Sequence, residues 1–229
     1  MPLQVSLAQP SEALAISTLV SEELLHDRTT RAAMRLPETQ GMREMRARNV
    51  ARLIRTDASA RFIKVSDSDT NRVLGYARWQ VPLTFPPSPL RAHLDGWTPE
   101  KDAETAEQKA AAVAASVTSM KLWNYILDAL KEKRDKYVDE QKCLVLGLLD
   151  VYPDVRGQGA ARKLLEWGLQ QADETGSSAY LETAVTLQPF VEKFGWVTVD
   201  EVAIDFDGFD DVSETGIQKW VCMLRQPSV

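Results

Sequence analysis

Apolar positions along the chain change rhythm, and the changes mark out elements. Residues 144–151 form an apolar run broken only by Gly147 and Asp150. A run of that length, closed by the turn signal Pro153-Asp154, predicts a strand covered on both faces. Proline cannot donate to a sheet ladder, so the strand ends there. Downstream, Ala161, Leu164, Leu165, Gly168, Leu169 and Ala172 recur at i, i+3, i+4, i+7, i+8 and i+11 and so share one face of a helix. Residues 4–7 read as a short first strand, and Pro10, Ser11 and Glu12 open a helix running to about Leu25. Met42, Met45, Val50, Leu53 and Ile54 place a second helix inside an arginine-rich stretch from Arg28 to Arg55. Residues 61–65 and 73–81 predict a hairpin around the polar turn 67–71. Tyr76 and Trp79 differ in parity on its second strand, so they point to opposite faces.

The middle of the chain is less regular. Pro82, Pro86, Pro87 and Pro89 exclude continuous secondary structure there. Thr98-Pro99-Glu100 is a helix start, with threonine at the cap and proline in the first turn. Ala106, Ala110, Val113, Val117, Met120, Leu127 and Leu130 then follow at helical spacing, and residues 100–140 lack glycine and proline, which allows one long helix or two abutting ones. Residues 179–183 predict another strand, residues 188–194 a short helix stopped by Gly195, and residues 197–206 with 218–224 a final hairpin. The connection of that hairpin carries Asp205, Asp207, Asp210, Asp211 and Glu214.

Composition narrows the function. A length of 229 residues allows one domain with an ample core. Hydrophobic content of 44% and charged content of 26% fit a water-soluble globular chain. The formal net charge of −6 argues against a general nucleic-acid binder, which needs a basic field. The sequence shows no signal-peptide pattern and no apolar run of membrane-spanning length, so no membrane partner is expected. Cys143 and Cys222 lie in apolar surroundings without clustered spacing, as buried thiols in a reducing, cytoplasmic compartment would. No metal-ligand spacing and no nucleophile–base motif is present, so a metal-free reaction without a covalent enzyme intermediate is expected. His26 and His93 read as surface residues.

The chemistry concentrates between the 144–151 strand and the helix after it. Arg156-Gly157-Gln158-Gly159-Ala160-Ala161 forms the link. The first four N–H groups of a helix have no intrahelical partner, and the macrodipole adds positive charge there. Small residues let an anion approach that backbone, and Arg156 and Arg162 add full charges. The loop suits a phosphate or pyrophosphate, although it is neither GxxxxGK[ST] nor GxGxxG. The plainer reading is a strand–turn–helix corner.

Two segments carry a resemblance to a known family. Leu149-x-Val151-x-Pro153 followed by Arg156-x-x-Gly159-x-Ala161 resembles motif A of the GNAT superfamily of N-acetyltransferases. Leu181-Glu182-Thr183-Ala184, then Val191-Glu192-Lys193-Phe194-Gly195-Trp196, resembles the family's later strand and short-helix end. The match covers residues 143 to about 206 well, and the rest of the chain by architecture alone.

The resemblance implies a single-domain GNAT fold over residues 1–229 (α/β). Its mixed, mostly antiparallel central sheet would be splayed between strands 4 and 5. Helices would cover both faces, with a helical insertion at about 82–140 between strands 3 and 4. It implies acetyl-CoA as co-substrate, with its pyrophosphate on the amides of Arg156, Gly157, Gln158, Gly159, Ala160 and Ala161, and Arg162 beside them. Leu149 and Val151 would hold the pantetheine arm through their main chains, and the Val151 N–H would be the oxyanion donor.

An attacking amine must be neutral, so a base or a desolvated pocket must take its proton. Asp150 and Glu182 are the candidate bases. The family's proton-donating tyrosine is replaced by Val191, which leaves a water, Tyr180 or unassisted departure of the thiolate. The expected reaction is acetyl transfer to a primary amine of a small molecule by direct attack in a ternary complex, in a monomer or homodimer. A protein or peptide acetyltransferase and a non-catalytic acyl-CoA sensor are the alternatives. The acidic 205–214 connection would give a cationic amine an attractive rim.

Overall fold

The computed structural model describes residues 2–24, 27–34, 39–86, 88, 114 and 116–228. Its strands are β1 (Leu3–Leu7), β2 (Ala60–Asp67), β3 (Val73–Gln80), β4 (Cys143–Val151), β5 (Ser178–Ala184), β6 (Val197–Asp205) and β7 (Ile217–Arg225). The helices are α1 (Ala13–Leu24), α2 (Arg28–Ala33), α3 (Gln40–Thr56), α4 (Met120–Tyr137), α5 (Ala160–Thr175) and the single turn α6 (Gln188–Val191). The expected elements are found at close to the expected positions, and α2 is an addition. The expected helix start at Thr98, with Ala106, Ala110 and Val113, lies outside the described residues, as do Leu25, His26, Arg35, Pro87, Pro89 and His93.

The strands form one seven-stranded sheet in the order β1-β2-β3-β4-β5-β7-β6. Every neighbouring pair is antiparallel except β4 and β5, which run parallel. One face carries α5 and α6. Leu164, Leu165 and Leu169 of α5 pack there on Ile63, Ala77, Trp79, Leu144 and Leu181. This is the face that the α5 spacing predicted. Gly168 is needed for it, because a Cβ on Gly168 would lie 2.1 Å from the Trp79 ring. The Trp79 indole N–H donates to the Leu164 carbonyl at 3.3 Å.

The other face carries two separate helical groups. The pair α1 and α3 packs on Phe62 and Tyr76. Helix α4 packs on Cys143, Val145, Tyr180 and Cys222 through Leu122 and Ile126. Ser119 caps α4, accepting from the Leu122 N–H, and so starts this helix well inside the stretch that allowed one long helix or two abutting ones. Cys143 and Cys222 are buried free thiols. Among the described residues, no helix is long and apolar enough to cross a membrane.

Candidate functional site

Strand β4 behaves as two pieces. Its first part pairs on both sides, with β5 from Cys143↔Ser178 to Leu146↔Leu181 and with β3 on the opposite edge. Beyond Leu146 the pairing with β5 stops, while that with β3 continues to Gly75↔Val151. The two parallel strands therefore open like a V, leaving one edge of Gly147 to Val151 without a strand partner. The Tyr152 N–H donates to the Leu74 carbonyl at 3.0 Å. In an antiparallel pair alternate residues turn their backbone groups to opposite edges, so Val151 and Leu149 turn theirs into the open V.

The register between β3 and β4 slips where the V begins. Trp79 pairs with Leu146 and Arg78 with Leu148, so Gly147 is an extra residue, a bulge in β4. The bulge exchanges the faces. Leu144 and Leu146 before it, and Leu149 and Val151 after it, all belong to the α5 side. Leu148 and Asp150 then share the opposite face with their partners Arg78 and Tyr76. Gly75 keeps β3 close to β4 here, since a Cβ on it would sit 2.7 Å from the Asp150 carbonyl.

Past the V, a short turn at Pro153–Val155 leads to Gly157 and Gly159, with φ of 76° and 87°. Both values lie in the left-handed region, which glycine adopts without strain. Nothing lies within 4 Å of a Cβ built on either glycine. Gly159 is the N-cap of α5, and no side chain caps this helix end. Its orphan N–H groups thus face open space. Arg156, Gln158 and Arg162 are exposed around it; Arg162 pairs with Glu166 at 2.7 Å and lies over the Phe194 ring. This cradle fits a pyrophosphate in the manner expected of a helix N-terminus.

On the α3–α4 side of the V lies a polar group of side chains. Arg134 of α4 makes a two-pronged ion pair with Glu182, at 2.7 Å for each contact, and the Glu182 side chain is only 4% exposed. Burial and the Asp150 charge beside it push the Tyr76 phenol well above its ordinary pKa. Burial lowers Arg46 and Arg78, which approach Tyr76 from α3 and β3. Leu148 is 39% exposed in the middle of this face, so the gap between the two helical groups opens onto the strand.

The sequence profile described as acetyltransferase (GNAT) domain matches residues 137–213, which span β4, the glycine loop, α5 and β5. Over that third of the chain the sequence is similar to the GNAT acetyltransferases. The fold is shared over nearly the whole chain by solved structures of low sequence identity. A mosquito arylalkylamine N-acetyltransferase-like protein is 13% identical with a TM-score of 0.61, covering 98% of this chain and 100% of its own. The polyamine N-acetyltransferase of Drosophila melanogaster is 14% identical with a TM-score of 0.61 and the same coverage. A putative acetyltransferase from Salmonella typhimurium, determined with acetyl-CoA, is 12% identical with a TM-score of 0.54, covering 99% of this chain and 94% of its own. No curated protein matches the sequence.

Within this fold the expected site residues fall in three places. The loop residues 156–162 gather at the α5 N-terminus, and Leu149 and Val151 border the V. Asp150 and Glu182 stand on the α3–α4 side, on the two strands that part. Val191 is buried against the α5 core, at 5% exposure, and carries no proton to give. Tyr180 is fully buried; burial above all, with Cys222 and Glu182 beside it, holds its proton tightly. The acidic connection is tied to the protein itself. Glu214 pairs with Arg28 and Arg31, Asp211 accepts from the Ser119 hydroxyl, and Asp207 accepts from the Gly216 N–H. Sequence reasoning missed the Arg134–Glu182 pair and the placement of Arg46 and Arg78. Arginine type is visible in the sequence, but inward orientation is not.

Proposed function

We propose that the protein is an acetyl-CoA-dependent N-acetyltransferase acting on a primary amine of a small molecule by direct attack in a ternary complex. One observation carries the reading: the β4–β5 pairing ends at Leu146↔Leu181, and the unpaired edge leads straight to the uncapped, glycine-lined N-terminus of α5. A ligand with an extended amide-bearing arm and a pyrophosphate matches that pair of features. The arm takes the place of a strand along Leu149 and Val151, and the pyrophosphate takes the orphan amides of residues 157–161. The Val151 N–H is the donor we assign to the thioester oxygen as charge develops on it. The two fold relatives named for arylalkylamine and polyamine acetylation support a small amine as acceptor.

Of the two candidate bases, we assign the role to Asp150. Both Glu182 oxygens are held by Arg134, so abstraction of a proton there would break a buried ion pair. Asp150 stands on the open face beside Tyr76, two residues from Leu148. With Val191 unable to act, water reaching the V supplies the proton to the departing thiolate.

Calorimetric titration with acetyl-CoA, set beside ATP and NAD, tests the reading. Saturable binding of acetyl-CoA that is lost in Gly159→Glu, followed by CoA release with an amine, supports it. Binding without release across a broad panel of amines and peptides would leave a sensor rather than an enzyme. No binding would leave the loop as a structural corner.

A further inference from the structure

Arg78 is a half-buried cation that no carboxylate holds by a hydrogen bond. Among the described residues it makes no hydrogen bond and no ion pair. Its Nη2 and Nε lie 3.0 and 3.3 Å from the point a Cβ on Gly147 would occupy, so the guanidinium lies against the bulge where β4 leaves β5. The neighbouring carboxylate is not at its disposal, because Arg134 takes both oxygens of Glu182. Asp57 attracts it from the C-terminal end of α3, but that carboxylate accepts from the Ser59 and Ala60 N–H groups and the Ser59 hydroxyl. Arg46, Arg78 and Arg134 are set against Asp57, Asp150 and Glu182 on this side of the V, three charges of each sign, but Glu182 and Asp57 are engaged by other groups. A half-buried guanidinium that no carboxylate holds still has its fork of donors to offer, and a planar carboxylate is the anion that matches it.

Resting on the acetyltransferase reading, we infer that the acceptor is an amine that also bears a carboxylate, and that Arg78 anchors the carboxylate. Arg78 pairs with Leu148 and Tyr76 with Asp150, so the anchor and the assigned base stand two residues apart on one face. That is about 7 Å along a strand, within which the reach of an arginine side chain brings both groups of a short amino acid into range. A simple diamine or arylalkylamine would leave Arg78 without a carboxylate. Arg78 thereby selects among amines that the acetyl-transfer chemistry alone treats alike.

The test compares amino acids with the amines left when their carboxylate is removed: phenylalanine with phenethylamine, tryptophan with tryptamine, ornithine with putrescine. CoA release gives kcat/KM for each, and calorimetry on the CoA-loaded protein gives affinity where no member turns over. The wild-type protein is expected to favour the carboxylate-bearing member of a pair by roughly ten- to a hundredfold, mainly in KM, as a charge-assisted hydrogen bond commands. Arg78→Gln is expected to bring the ratio to near one and Arg78→Lys to keep part of it, both titrating acetyl-CoA as the wild type does. If Arg78→Gln fails to bind acetyl-CoA and has therefore lost its fold, the wild-type ratio and Arg78→Lys decide. A wild-type ratio at or below one, in rate and in binding, overturns the inference, as does a ratio that Arg78→Gln leaves unchanged. With acetyl-CoA bound and a flat ratio, the inference fails and the acetyltransferase reading stands. Without acetyl-CoA binding both fall.

Discussion

The two parts of β4 are continuous in sequence and opposite in character. Cys143 to Leu146 is buried, paired with β5 throughout and with β3 at Val145 and Leu146, and packed on both faces. Gly147 to Val151 keeps one strand neighbour, exposes Leu148 and turns Asp150 toward charged side chains. The first part anchors the sheet against α5 and α4. The second part is where the sheet stops satisfying its own backbone and so has groups to offer a ligand. Site and scaffold here are separated by a single bulge, and that division predicts which substitutions harm function and which harm stability.

The largest effect expected is at the open end. In Gly159→Glu the side chain must take a φ of 87° and brings a negative charge to the helix N-terminus. Acetyl-CoA affinity should fall by more than about a hundredfold, the two penalties adding, with circular dichroism unchanged. Retained affinity would break the assignment of the loop. Next is Asp150→Asn, expected to lower kcat by about 10²–10⁴ while acetyl-CoA still binds. An equal loss with Glu182→Gln and none with Asp150→Asn would reverse the choice of base.

The closed half should respond in stability instead. Gly168→Ala forces a methyl into the Trp79 ring and should cost about 3 kcal/mol, roughly 6–12 °C in Tm, by thermal unfolding. The smallest effect concerns Asp173, which Arg225 grips with contacts of 2.7 and 2.9 Å. That hydrogen bonding holds the Asp173 carboxyl below the usual range. A depressed pKa contributes stability above the ordinary carboxylate value and loses it as pH falls through the depressed one. Asp173→Asn should therefore cost about 1–2 kcal/mol at neutral pH, discounted for its partial exposure, and less than that below about pH 3. An equal loss at both pH values would show that the effect is packing rather than charge.

Much of this was legible in the sequence, for identifiable reasons. Helix α5 was readable because its buried face repeats locally, and the glycine loop was readable because Gly157, Gly159 and the small residues after it are adjacent in the chain. The hairpin of β2 and β3 followed from alternation and a turn, where Asn71 takes φ of 56°. Helix α2 was missed because Arg28–Ala33 has too few residues to show a period. The acidic 205–214 connection was readable as charge, but not that Glu214 and Asp211 are held by Arg28, Arg31 and Ser119, which lie far away in sequence.

By itself the sequence determined which segments are strands and helices, where the glycine loop at a helix start lies, and that Asp150 opposes Leu149 and Val151. These are short-range facts, set by the period of two in a strand and of 3.6 in a helix. Tertiary structure alone decided that an extra residue at Gly147 shifts the register. Strict alternation from Leu144 would have pointed Asp150 into the α5 core; the bulge moves it to the polar face and lets Val151 continue the apolar one. Tertiary structure likewise decided that Arg134 closes on Glu182 while Arg78 is left without an ion pair among the described residues. Such pairings depend on which distant elements share a face, and no local pattern of residues encodes that.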